Sequence, residues 1–308
     1  PPAHNRKVPG SIPGGPTSTV NKSHQTVAFL FRGGGELKLE SVLQKIENLL
    51  PLDWAEEWDN AGLLSGDPNC DVSRVSVALD ATVETVKRSA EKGCNLLVTH
   101  HPAFITPLRR VTKNTVEGAV LSEAISKGVA LYGIHTNWDV SPVGVNRVLS
   151  EKAGLKNTVP LMNGTKGAWG IGAIGDLPTP LTLSELAAFL REAWNLSWMR
   201  VEGEPSRLIK RLGLCGGAGG DFMEAAALNG ADAFATADLR YHEALAGRSS
   251  GLSLLVCDHG EMESASLDKL TELIISATGL STERLPKGSP SVFFDLRSPG
   301  SFTRSDSR

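Results

Sequence analysis

Apolar residues along the chain fall into short blocks, and the spacing inside each block predicts its conformation. Leu39, Val42, Leu43, Ile46, Leu49 and Leu50 recur at helical intervals up to Pro51, which predicts an amphipathic helix opening the ordered protein near Leu37. Beyond it, compact apolar runs alternate with helical patterns. The run 75–79 predicts a strand that leads through Asp80 and Thr82, a candidate N-cap, into a helix over 83–92. The run 95–98 predicts a strand ending in Thr99-His100-His101-Pro102, and the run 129–134 one ending at His135, with helices over 117–127 and 143–152. From Gly154 the same beat returns, with strands over 170–174, 212–215, 233–236 and 252–257. Helices are expected over 183–194, with Ser184 as a candidate cap, and over 222–229, 239–246 and 261–278.

Strands alternating with helices predict an α/β fold: two similarly built α/β subdomains with mostly parallel sheets flanked by helices. The expected division is a first subdomain at 37–153 and a second at 154–251. A last strand and helix, 252–297, would return to complete the site and the first subdomain. Residues 1–35 carry no Asp or Glu and are rich in Pro, Gly, Ser and Thr without periodicity, so 1–36 is expected to be a disordered extension. Its Pro and Gly density argues against a transit peptide. The polar, turn-rich stretch 298–308 is expected to be a disordered tail.

Composition narrows the function classes. The 31 basic and 34 acidic residues of this 308-residue chain give a formal net charge of −3, so no overall positive field draws it to nucleic acid or anionic lipid. No apolar run approaches the ~20 residues of a membrane-spanning helix. Cys70, Cys94, Cys215 and Cys257 stand far apart with no CxxC pair, which suits a reducing, cytoplasmic setting.

Candidate chemistry lies just past the predicted strands, where open α/β sheets place their ligands. His100 and His101 end one strand; since adjacent strand side chains diverge, a turn at Pro102 would have to re-aim one if both face a common site. Read alone, they could be two loop histidines. His135 and Asp139 follow the next strand at a spacing that a helical turn brings to one face, although Asp139 could simply cap a helix. His259 and Glu263 stand at i and i+4 at the mouth of the last helix, where one face can offer two ligands to a metal. Together the three clusters supply imidazole and carboxylate without thiolate, a set suited to Zn, Fe, Mn, Co or Ni, and more ligands than one tetrahedral ion needs. Two divalent metal ions sharing a carboxylate would use them all.

Other residues carry weaker signals. Gly217 and Gly219 sit in the Gly216–Gly220 run before a helix, which could cradle a phosphate or be a plain tight turn. Asp238 and His242 lie one helical turn apart and could move protons, or be a cap and a surface histidine. Asn60 could hydrogen-bond a substrate while Trp54 and Trp58 pack. No GxSxG elbow, Walker signature or activated cysteine is present, which disfavours covalent serine or cysteine hydrolysis.

The segments AEEWDNAGLLSGD (55–67), LVTHHPAF (97–104), GIHTNWDVSPVGVN (133–146), GGAGGD (216–221), TADLRYHEAL (236–245) and CDHGEMES (257–264) carry a likeness. From Leu37 to about Leu296 the chain resembles the NIF-three-like dinuclear metal-centre family, whose bacterial members bear the name GTP cyclohydrolase 1 type 2. The resemblance implies that His100, His101, Asp139, His259 and Glu263 bind the two metals, with Glu263 as bridge and His135 beside them. It also implies a homohexameric ring whose sites face an internal cavity, and a short form without the insertion domain of some members. Trp138, where the family usually has a smaller or aliphatic residue, could narrow the pocket, and Ala237 replaces a common Gly.

The expected function is a dinuclear-metal-dependent hydrolase with metal-activated water as nucleophile, acting on a small molecule such as GTP or another nucleotide. His135, Asp238 and His242 would shuttle protons. The alternative is a non-catalytic, metal-binding, ring-forming scaffold protein.

Overall fold

In the strand Leu96–His101 the side chains alternate between two cores. Leu96 and Val98 face a large inner cluster with Val75 and Val77 of the neighbouring strand Arg74–Asp80, while Leu97 faces an outer cluster with Ala78. Strands buried on both faces read as near-continuous apolar runs, which is why these are plain in the sequence. The computed structural model describes residues 37–286. The expected extension at 1–36 and tail at 298–308 lie outside them.

Two sheets organise the described residues. The first runs in the order Ser281–Arg284, Arg74–Asp80, Leu96–His101, Ala130–Gly133, Gly62–Ser65, parallel throughout except for its last pair. The second runs Met199–Glu202, Ser253–Cys257, Ala233–Ala237, Leu208–Ala218, Ala173–Thr182, Lys156–Val159. Its central three strands are parallel and its outer pairings antiparallel. The inner cluster joins both sheets, since Leu212, Leu214, Ala235 and Leu255 share it with Val75, Val98 and the helix residues Leu39, Leu270 and Ile274. Helices Val83–Glu91 and Val116–Lys127 cover the outer face of the first sheet, and Met223–Leu228 and Tyr241–Ser249 that of the second. No helix among the described residues is long and apolar enough to cross a membrane.

Several boundaries differ from the sequence expectation. The helix Leu183–Ala193 is capped by Thr182 and not Ser184: Thr182 Oγ1 accepts from Glu185 N at 3.2 Å while Glu185 Oε2 accepts from Thr182 N at 2.8 Å. Thr182→Ala should therefore cost about 1 kcal/mol, read as a lower urea midpoint with unchanged m-value. The helix expected over 261–278 is two, His259–Ser264 and Leu267–Thr278, because the Glu263 carbonyl accepts from both N and Oγ of Ser266. The strand Ser253–Cys257 stays in the second sheet, and the return to the first is made by Leu267–Thr278 and Ser281–Arg284. Trp138 does not line a pocket: it is fully buried, and its indole N–H donates to Ser266 Oγ at 3.0 Å.

Candidate metal centre

The strand parity that points Leu96 and Val98 into the inner cluster also points His100 there, and it is completely buried. Its Nδ1 pairs with the Ile134 carbonyl at 3.1 Å, beyond the end of the neighbouring strand. His101, the last residue of the same strand, leans the other way, its Nδ1 on Asp80 Oδ1 at 2.7 Å. No turn at Pro102 is needed to bring them together, and the ring centroids stand 4.9 Å apart.

The same device recurs in the second sheet. Asp80 sits opposite His101 in parallel register; Asp238 follows Ala233–Ala237 as His259 follows the adjacent parallel strand Ser253–Cys257, and His259 Nδ1 meets Asp238 Oδ2 at 2.6 Å. In each sheet a carboxylate at one strand end therefore holds the imidazole from the end of the next. A third pair completes the set, with His135 Nδ1 on Asp59 Oδ1 at 2.8 Å. A carboxylate or carbonyl accepts, so each Nδ1 carries a proton, and Nε2 is the ring atom left to bind a metal once it carries none.

The Nε2 atoms of His100, His101 and His259 converge on Glu263, buried in the helix His259–Ser264. His259 Nε2 lies 3.0 Å and His100 Nε2 3.6 Å from Glu263 Oε1, while His101 Nε2 lies 2.9 Å from Oε2. Asp139, in the short helix Thr136–Asp139, brings Oδ1 to 3.7 Å from His100 Nε2. His100 Nε2, Asp139 Oδ1 and Glu263 Oε2 are buried without a partner in hydrogen-bond geometry. Buried polar atoms left this way are costly unless something else fills their valence. Two overlapping groups have donor atoms within 4.8 Å of one another: His100, His101 and His135, and His101, His259 and Glu263. Nitrogen and carboxylate donors, each imidazole buttressed at Nδ1, fit divalent transition metals.

Electrostatics agree. Burial pushes the Glu263 carboxyl up, but His100, His101 and His259 around it hold it well below the usual range. Burial likewise opposes charge on His101, yet Asp80 and Glu263 raise it to about 10; Glu263 and Asp238 raise His259 to about 9. Without metal these rings hold protons at neutral pH. A metal must displace them, so uptake is expected to release protons and to strengthen as pH rises toward 9–10. Calorimetry in buffers of different ionisation enthalpy at pH 7 should read that release; binding with no proton release would contradict it. Burial raises Asp59 too, but hydrogen bonds from His135 and Thr136 bring it to about 2. That depressed value stabilises the fold above the ordinary carboxylate range, a contribution lost as pH falls from about 4 through 2. Asp59→Asn should lose stability at pH 7 and show a flatter acid limb in denaturation.

Several expected site residues have other work. Gly217 has φ +70° and backs directly onto the centre: a Cβ there would overlap Glu263 Oε1 and stand 3.3 Å from His259 Nε2. The strand Leu208–Ala218 runs through Gly216 and Gly217, so the connection to the next helical turn begins only at Gly219. Gly219 N donates to Thr236 Oγ1 at 2.8 Å, and Gly216 N to Asn146 Oδ1 at 2.9 Å, so these two amides are engaged within the fold. Asn60 donates an amide N–H to the Phe104 carbonyl at 2.8 Å, which latches two loops together. Asp238 has φ +53° and precedes a helix that starts only at Tyr241, so it shares no helical turn with His242. Asp238 orients His259, whereas His242 is exposed, its ring against Tyr241. Trp54 packs on the core as expected, but Trp58 does not and is 58% exposed. Sequence reasoning missed Asp80 and the role of Asp59. It also missed Asn146, which ties Gly216 to the Asp139 carbonyl. A carboxylate ending the strand next to a histidine-ended strand was the available signal for Asp80. Burial and the neighbouring Asp139 and Glu263 push the Cys215 thiol up, so no thiolate joins the set.

Residues 37–284 match the Duf34/NIF3 (NGG1p interacting factor 3) family along their whole length. The chain belongs to this family. A GTP cyclohydrolase 1 type 2 homolog of Streptomyces coelicolor is 34% identical over 248 residues, covering 76% of this chain and 87% of that protein. NIF3-like protein 1 of Drosophila melanogaster is 29% identical over 242 residues, covering 77% and 82%. Among solved structures, a hypothetical protein of Staphylococcus aureus superposes with a TM-score of 0.77 at 27% identity, covering 83% of this chain and 99% of that one. The Duf34/NIF3 fold thus brings both sheets' strand ends to one histidine and carboxylate cluster.

Proposed function

We propose that this Duf34/NIF3 protein is a hydrolase built on two divalent transition-metal ions held by His100, His101, Asp139, His259 and Glu263. The observation that carries the reading is the common orientation of His100, His101 and His259, each tied at Nδ1 and turning Nε2 toward the one buried carboxylate of Glu263. Bound divalent metals supply Lewis acidity, lowering the pKa of water from 15.7 toward about 7 and polarising an electrophile. The chain's own part is positional. Glu263 reaches His100, His101 and His259 from two oxygens, so it suits a shared ligand. His135, oriented by Asp59, presents Nε2 beside His100 and His101 and is suited to taking or returning a proton there. Asp80 and Asp238 hold the rings in place.

The name of the Streptomyces relative supports a nucleotide such as GTP as the substrate class. We further propose a homohexameric assembly, which mass in solution tests. Asp80→Asn should keep the fold but weaken metal binding about 10- to 100-fold, because the amide no longer fixes the His101 ring as a carboxylate does. The function itself is tested by elemental analysis of protein purified without chelator, followed by assay of the metal-replete protein on GTP, other nucleotides and phosphoesters. About two equivalents of metal with turnover supports the hydrolase. Metal without turnover of any of these contradicts it and leaves a metal-binding scaffold protein.

A further inference from the structure

Trp58 stands beside His135 on a loop that is tied down on both sides. Glu56 N donates to Thr136 Oγ1 at 2.9 Å, Asp59 takes the His135 and Thr136 hydrogen bonds, and Asn60 holds Phe104. The indole itself is 58% exposed. Its ring stands edge-on to His135, centroids 5.8 Å apart and planes 81° apart. His135 in turn lies 5.3 Å from the His100 ring and 5.7 Å from the His101 ring. A large aromatic face is therefore held in water one ring away from the metal-ligand cluster. Leaving so much apolar surface exposed forgoes the gain of burial, and that gain returns when a flat partner covers it. Because the flanking backbone is already ordered, little entropy opposes such stacking.

We propose that Trp58 is the stacking platform for a planar heteroaromatic ring of the ligand, setting that ring beside His135 with the rest of the molecule toward the Glu263 cluster. The inference rests on the centre being a small-molecule site, as proposed above, but it does not need turnover. Stacking is tolerant of ring identity, so the platform selects flat rings as a class and leaves finer choice to other contacts.

The test is calorimetric titration of the full-length, metal-replete protein with guanosine 5′-monophosphate and with ribose 5-phosphate, which lacks the ring. The ring-bearing probe should bind about 5- to 150-fold more tightly. Trp58→Leu should remove that advantage while ribose 5-phosphate affinity and metal content stay unchanged, and Trp58→Phe should keep most of it. Equal affinity of the unsubstituted protein for the two probes overturns the platform. So does a Trp58→Leu protein that keeps its preference for the ring, including one whose only change is its mass in solution. Ring-dependent binding without hydrolysis upholds the platform and defeats the hydrolase reading; turnover indifferent to Trp58 does the reverse.

Discussion

Glu263→Gln is expected to abolish metal binding while leaving the fold intact. The substitution keeps the side-chain volume in a site that is 4% exposed, so packing around Met262 and Ser264 is preserved. It removes the one negative charge within reach of His100, His101 and His259 together. It also replaces a carboxylate oxygen by an amide N–H, which donates to the lone pairs that would otherwise face a cation. Metal per chain should fall from about two equivalents to near zero, and affinity by more than the ~100-fold typical of losing a supporting partner. Elemental analysis with far-UV circular dichroism checks both halves. A folded variant that keeps its full metal content would remove Glu263 from the centre.

Gly217→Ala should produce the second large effect, and it separates backbone strain from damage to the centre. A residue with a side chain at φ +70° costs about 1–3 kcal/mol, and the new methyl would overlap Glu263 Oε1. For a domain of this size each kcal/mol lowers Tm by about 2–4 °C, so a loss of several degrees is expected together with loss of metal. Two comparisons isolate the cause. Gly279 has φ +71° and nothing within 4 Å of where a methyl group would stand, so Gly279→Ala should show the strain alone and retain metal. Gly219→Ala would meet Cys215 and Thr236 instead of Glu263, so its stability should fall with less effect on metal. If Gly217→Ala retains its metal while losing stability like Gly279→Ala, the close approach of strand and carboxylate is without consequence.

What the sequence disclosed follows from where each element sits. The strands Arg74–Asp80, Leu96–His101, Ala233–Ala237 and Ser253–Cys257 are covered on both faces, so their apolar runs stand out. The strands Met199–Glu202 and Ser281–Arg284 lie at sheet edges with largely polar, partly exposed residues, and no periodicity marks them. The histidines and acids of the centre were legible because each follows an apolar run at a strand's carboxyl end. Their supports were not, since Asp80 with His101 and Asp59 with His135 pair across 21 and 76 residues of chain. Local spacing also misled at His242, because a left-handed residue at Asp238 breaks the helical register on which that spacing depends.

The central claim, that imidazoles fixed at Nδ1 and one buried carboxylate hold two metals, is tested most directly by anomalous diffraction from crystals grown with the native metal. Data collected on either side of its absorption edge should show two peaks, both within bonding distance of Glu263, with His100 and Asp139 beside one and His101 and His259 beside the other. No anomalous peak among these residues in protein that elemental analysis shows to be metal-replete would contradict the account.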